Sequence, residues 1–299
     1  MRLCAPPPSA EAQKGAMKTP KRIQPLIEEG LIDEVLRQLM SGKEAEVYVV
    51  RCGEQVRCAK VYKEAAKRSF RQSVQYTEGR KVKNSRRARA MEKGSRYGRQ
   101  EQEQAWQSAE VDALHRLAAA GVRVPRPYNF LEGVLLMELV TDASGNAAPR
   151  LNDLALSEAI ARDYHRTLVR QVVRMLCAGI VHGDLSEYNV LVDTAGPVII
   201  DLPQAVDAAG NNNAFVMLER DINNLAAYFG HSAPELLTTD YAMEIWTLYQ
   251  SGTLTPATKL TGHFERVNTP VDVDNVLQEV DAARNEEEAR QRYKQQLEE

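Results

Sequence analysis

Apolar positions along the chain change their period several times, and the changes mark out elements. Through residues 23–40, Leu26, Ile27, Leu31, Val35, Leu36 and Leu39 recur at helical spacings broken at Gly30, which predicts short helical segments. The period then falls to two. Ser41-Gly42-Lys43-Glu44-Ala45 reads as a tight turn feeding a strand through Val50, Cys52-Gly53-Glu54 as a hairpin turn, and 55–62 as the returning strand. Residues 101–120 form a helical pattern, with Ala105, Trp106, Ala109, Leu114, Leu117 and Ala118 as its stripe and Gly121 as its stop. An extended, proline-containing stretch (122–128) leads into a second hairpin turning at Leu131-Glu132-Gly133. Helical spacing dominates afterwards: a short segment at 152–156, a long one at 157–177 ended by Gly179, and another at 215–229 carrying Asp221. Ser232 and Glu235 read as the capping box of a further helix continuing through Trp246. Residues 252–262 read as a loop, and 273–299 as a charged helix packing only through Val276, Leu277 and Val280.

Composition narrows the class. At 299 residues the chain has room for about two domains or lobes. Its 43% apolar and 26% charged residues are ordinary for a globular protein. Residues 1–22, rich in Pro, Ala and Lys without sustained apolar period, predict a disordered leader without secretory-signal character. Four scattered cysteines (Cys4, Cys52, Cys58 and Cys177) exclude a disulfide framework, and no run is long enough to cross a bilayer, so a cytoplasmic enzyme is expected. The net charge of -3 conceals a strong asymmetry. Over 67–99, twelve basic residues from Lys67 to Arg99 face only Glu78 and Glu92, which predicts a flexible, polyanion-attracting loop. RNA is the first partner expected there, with Tyr76 and Tyr97 available to stack on bases; a solvated basic helix or a loop folding over a nucleotide is the plainer reading.

The chemistry concentrates in 180–202. Ile180-Val181 leads into a turn carrying His182, Asp184 and Asn189, and Val198-Ile199-Ile200 then delivers Asp201. Asp and Asn between short strands commonly do no more than form turns. In register, however, His182, Asp184, Leu185 and Asn189 follow the H-R-D-L-x-x-x-N catalytic loop, with Gly183 in place of Arg, and Asp201 takes the place of the D-F-G aspartate. Transfer of a γ-phosphoryl group asks a site to position a nucleophile and neutralise charge. Asn189 and Asp201 are candidate Mg²⁺ ligands, because this ion needs only one or two protein oxygens beside nucleotide phosphates. Asp184 is a candidate to orient or deprotonate an attacking hydroxyl. Lys60, on the predicted strand 55–62, is the candidate partner of the ATP phosphates, and Glu110 is the candidate carboxylate that orients it. Ser41, Gly42, Lys43 and Glu44 could cradle phosphates, although a single glycine is a weak phosphate-loop signal. Backbone groups of Glu138 and Leu139 would form the adenine-binding hinge.

Ser41-Gly42-Lys43-Glu44-Ala45, Lys60-Val61-Tyr62-Lys63, His182 through Asn189, and Ile200 through Asp207 together resemble the RIO family of atypical serine/threonine protein kinases. The likeness spans roughly 31–249 and is greatest to the branch without an N-terminal winged helix, in a bacterial-type variant with Leu202-Pro203-Gln204-Ala205. The resemblance implies an α+β, two-lobed kinase-like fold trimmed of its activation segment. A small antiparallel-sheet lobe over 23–138 would contain the flexible loop, a mainly helical lobe would cover 139–262, and a charged tail 263–299. It also implies the Lys60–Glu110 pair, Asp184 as catalytic aspartate, and Asn189 and Asp201 on the metal. Autophosphorylation, ATPase activity and a link to small ribosomal subunit precursors follow from the same likeness. Two other readings remain beside it: a small-molecule phosphotransferase of the aminoglycoside-kinase type, against which Glu187-Tyr188 argues, and a nucleotide-switched, RNA-associated assembly factor.

Overall fold

The structure, a computed structural model, describes residues 19–42, 44–63 and 96–264, with side chains from 108 onward in the last of these. The leader before residue 19, Lys43, most of the basic block and the tail beyond 264 lie outside the described residues. The described chain belongs almost wholly to one compact unit ending at Gly262; a second unit, His263–Glu299, contributes only its first two residues.

The first lobe is a five-stranded antiparallel sheet. Its strands are β1 (Glu34–Ser41), β2 (Ala45–Cys52), β3 (Gln55–Tyr62), β4 (Pro127–Leu131) and β5 (Val134–Glu138), in the order β1-β2-β3-β5-β4. Within 23–40 only α1 (Gln24–Glu28) is helical, and the helix expected over its second half is strand β1 instead. Two register shifts against β2, between Val35 and Arg37 and between Gln38 and Met40, explain the discrepancy. Each bulge adds a residue and breaks the period of two, so Val35, Leu36 and Leu39 mimic helical spacing.

Alternation along β3 divides its side chains between two layers. Ala59 and Val61 join Tyr48, Val50, Val134 and Leu136 under Ile23 and Leu26, sealing one face. Cys58, Lys60 and Tyr62 therefore share the other face, the one turned toward the helix that follows. That helix, α2 (Arg96–Ala119), begins earlier than its apolar stripe indicates and ends at Gly121 with φ +73.

The second lobe begins with a 3-10 turn at Leu151–Asp153, followed by α3 (Glu158–Cys177), capped where Ser157 accepts a hydrogen bond from the Ile160 amide. Short strands β6 (Ile180–Val181), β7 (Val190–Asp193), β8 (Gly196–Ile199) and β9 (Val206–Asp207) carry the chain to α4 (Ala214–Gly230). Asp201 thus reaches α4 through little more than β9, and no long activation segment intervenes. Ser232 and Glu235 do not form the expected capping box. The chain makes a 3-10 turn at Pro234–Thr238, Glu235 pairs with Arg162, and α5 (Tyr241–Gln250) starts later, capped by Asp240. Asp240 wins because its carboxylate reaches the Met243 amide directly. No helix of the described residues is long and apolar enough to cross a membrane.

The β4–β5 turn holds Glu132 at φ +48 beside Gly133 at φ +75, a conformation that Asn accepts more readily than Glu. Glu132→Asn is expected to stabilise the protein by about 0.5–1 kcal/mol, read as a raised midpoint in urea unfolding with unchanged slope.

Candidate active site

Helical spacing brings Glu110 inward, because Ala113, Leu114 and Leu117 lie three, four and seven residues further along α2 and all are buried. Its Oε1 accepts from Lys60 Nζ at 2.6 Å, and Oε2 accepts from the Tyr62 hydroxyl at 2.6 Å. Lys60 Nζ also donates to Asp201 Oδ1 at 2.9 Å, so one ammonium joins three distant parts of the chain. Lys60 is 9% exposed and Glu110 2%. Burial alone would neutralise the lysine, but Glu110 and Asp201 outweigh it and hold its pKa well above the ordinary value. Burial and the adjacent Glu110 push the Tyr62 phenol far upward, so it stays a neutral donor.

The loop after β6 is braced from behind by α4. Asp221 accepts from the Gly183 and Leu185 amides, both at 2.8 Å. Arg220 donates to the Gly183 carbonyl and Asn224 to the Leu185 carbonyl. Burial pushes the Asp221 carboxyl up to about 7 despite its two amide donors. His182, 2% exposed, contributes Nδ1 as acceptor for the Asp184 amide and lies 3.1 Å from the Ile200 carbonyl through Nε2. Those contacts select the neutral ring protonated at Nε2, in keeping with a pKa lowered by burial.

Asp184 and Asn189 stand on this loop, and the Asn189 side-chain amide donates to the Asp184 carbonyl at 2.8 Å. That hydrogen bond uses the nitrogen and leaves Oδ1 available as an acceptor. The Ile200 amide donates to the Asn189 carbonyl, which sets Asp201 beside Asn189. Asp201 adopts φ +66, rare for a residue with a Cβ and tolerated best by Asp and Asn. Its surroundings would raise its pKa, but Lys60 first, then His182 and Arg150, keep it below the usual aspartate value. Burial raises the Asp184 pKa, with Arg220 opposing and Asp201 adding to the rise.

Other expected residues are placed less openly. The Gly42 amide donates to the Ala45 carbonyl, and Lys63 Nζ donates to the Gly42 carbonyl at 2.7 Å and to Ser41 Oγ at 3.3 Å. The Gly42 amide is therefore committed to closing the turn. Glu44 receives a hydrogen bond from the Lys63 amide, and Lys43 lies outside the described residues. The Glu138 amide, expected at the hinge, donates to the Arg126 carbonyl, and its carboxylate pairs with Arg123, which also holds Asp193 at 2.6 Å. The hinge amide at Glu138 is thus occupied; Leu139 follows just beyond β5.

The profile of the RIO domain matches residues 46–242, a span that contains Lys60, Glu110, Asp184, Asn189 and Asp201. The chain belongs to the RIO family. It is 34% identical to the RIO-type serine/threonine-protein kinase Rio1 of Haloferax volcanii over 233 residues, 73% of each chain. Against the serine/threonine-protein kinase rio1 of Schizosaccharomyces pombe it is 30% identical over 210 residues, and against human RIO1 28% over 224. Those alignments cover 68% and 74% of this RIO chain but only 40% and 38% of the yeast and human proteins.

A nucleotide and a metal suit the residues present. Among the described residues no group of three His, Cys, Asp or Glu side chains forms a metal cage. Asn189 Oδ1 and the half-exposed Asp201 carboxylate offer two hard oxygen donors instead, the number suited to an ion that takes its other ligands from phosphates and water. Tyr62 and Lys63 lie in a motif of the resemblance and Asp221 on a predicted helix, but none was given a role; Arg123, Arg220 and Asn224 had no place in the motif-based reading. Their signal in sequence is polarity inside apolar patterns, most visibly Asp221 among Leu218, Ile222 and Leu225.

Removing one member of a buried charge cluster exposes the rest to its desolvation cost. Glu110→Ala is expected to lower stability by about 3–5 kcal/mol, measured by urea unfolding. Asp221→Ala should cost about 1–3 kcal/mol for each amide left without an acceptor, and should also reduce turnover by loosening the loop under Asp184.

Proposed function

We propose that this RIO chain is an ATP- and Mg²⁺-dependent atypical serine/threonine protein kinase that phosphorylates itself and a protein substrate. The observation that carries the reading is the Lys60 ammonium held between Glu110 and Asp201, opposite the loop bearing Asp184 and Asn189. In this reading Lys60 pairs with nucleotide phosphates and Glu110 keeps it in place. Ser41 and the turn through Glu44 cover the phosphates, and the backbone of Leu139 receives adenine. Asn189 and Asp201 hold Mg²⁺, which when bound neutralises charge on the phosphate oxygens. Asp184 orients the acceptor hydroxyl and takes its proton as the oxygen bonds to the γ-phosphorus and the bridge to the β-phosphate breaks. Its raised pKa moves in the direction that makes it a better base.

The basic block over 67–99 supports RNA or a small ribosomal subunit precursor as a partner, with ATP hydrolysis serving assembly. Free thiols at Cys52, Cys58 and Cys177 accord with a reducing, cytoplasmic setting.

Incubation with radiolabelled ATP tests the reading. Label should appear on the protein in the presence of Mg²⁺ and vanish in Asp201→Ala; Asp184→Ala should lose at least about a hundredfold in rate. Label on an added small alcohol instead, or undiminished labelling of Asp201→Ala, would count against it. Neutralising Arg86, Arg87 and Arg89 together should flatten the salt dependence of RNA binding, and an unchanged slope would give the block another purpose.

A further inference from the structure

Arg150 belongs to none of the motifs above, yet it stands at the cleft. It precedes the 3-10 turn Leu151–Asp153 in extended backbone and bridges to Leu191 on β7, next in the chain but one after Asn189. Its side chain crosses to the other lobe, where Nη2 lies 3.0 Å from Met40 Sδ. Met40 immediately precedes the Ser41-Gly42 turn. A thioether is a weak acceptor and leaves a guanidinium largely uncompensated. Among the described residues Arg150 has no ion-pair partner, whereas Arg123, Arg162 and Arg166 each pair with a carboxylate. It is also near enough for its charge to act on Asp201. A half-buried cation without a carboxylate of its own, spanning the gap between the Ser41-Gly42 turn and β7, the strand that begins immediately after Asn189, is placed to meet an anion entering between the lobes.

We propose that Arg150 is a nucleotide-binding residue, donating through its guanidinium to phosphate oxygens of a nucleoside di- or triphosphate and leaving the Met40 sulfur to do so. The inference rests on the nucleotide site proposed above and adds to it a cation from the second lobe. The planar fork of Arg matches two phosphate oxygens at once, which lysine cannot reproduce.

Calorimetric titration of the full chain with MgATP, MgADP and adenosine tests it. Arg150→Ala should weaken MgATP and MgADP binding roughly tenfold, as loss of a charge-assisted hydrogen bond implies, and leave adenosine binding unchanged. Arg150→Lys should fall between. Unchanged MgATP affinity in Arg150→Ala would overturn the inference alone, and so would equal weakening of MgATP and adenosine, the sign of a merely structural role. Failure of the unaltered chain to bind MgATP would instead overturn the nucleotide site and this inference with it.

Discussion

A buried lysine is tolerable only where carboxylates meet it, and the arrangement of both lobes follows from that constraint. Lys60 lies on the inner face of β3, Glu110 on the inward stripe of α2 and Asp201 after β8. Separately, Lys60 and Glu110 would each be a charge removed from water at a cost on the order of several kcal/mol, whereas Asp201 stays half-exposed at the cleft. Together they require the helix to sit at one height against the sheet, and the segment after β8 to stand beneath both. Tyr62 completes the set by occupying the second oxygen of Glu110, which fixes the carboxylate's rotation as well as its position.

The loop bearing Asp184 is positioned by a different means. Leu185 anchors it in the core, and α4 captures the backbone amides and carbonyls on either side of Asp184. Asp221 takes the Gly183 and Leu185 amides with its two carboxylate oxygens, while His182 ties the same turn to the Ile200 carbonyl just before Asp201. Asp184 and Asp201 therefore share one scaffold. Arg123 joins the lobes at the back, holding Glu138 at the end of β5 and Asp193 at the end of β7, with its backbone bonded to Gln171 and Ile199. That contact explains why Glu138 at the end of β5 is committed to structure.

The motif residues Lys60, Asp184, Asn189 and Asp201 were legible because each occupies a spacing that chemistry constrains, and the hairpin of β2 and β3 because its turn and alternation agree. Glu110 was legible only through resemblance, since Glu101 and Glu103 lie on the same predicted helix and periodicity alone does not choose among them. The strand β1 was misread because its bulges counterfeit a helical period, and the start of α5 because a plausible cap at Ser232 lost to a better one at Asp240.

Local order along the chain thus determined which segments are strands and helices wherever one period ran unbroken, together with the motif spacing that marks the candidate site residues. Tertiary structure alone decided which carboxylate meets Lys60, that Asp221 carries the catalytic loop, that the Glu138 amide is occupied, and that Arg150 reaches Met40. Spacing reports on neighbours along an element, whereas these contacts join residues brought close only by packing of the whole fold; no periodicity encodes a distance between segments that far apart in sequence.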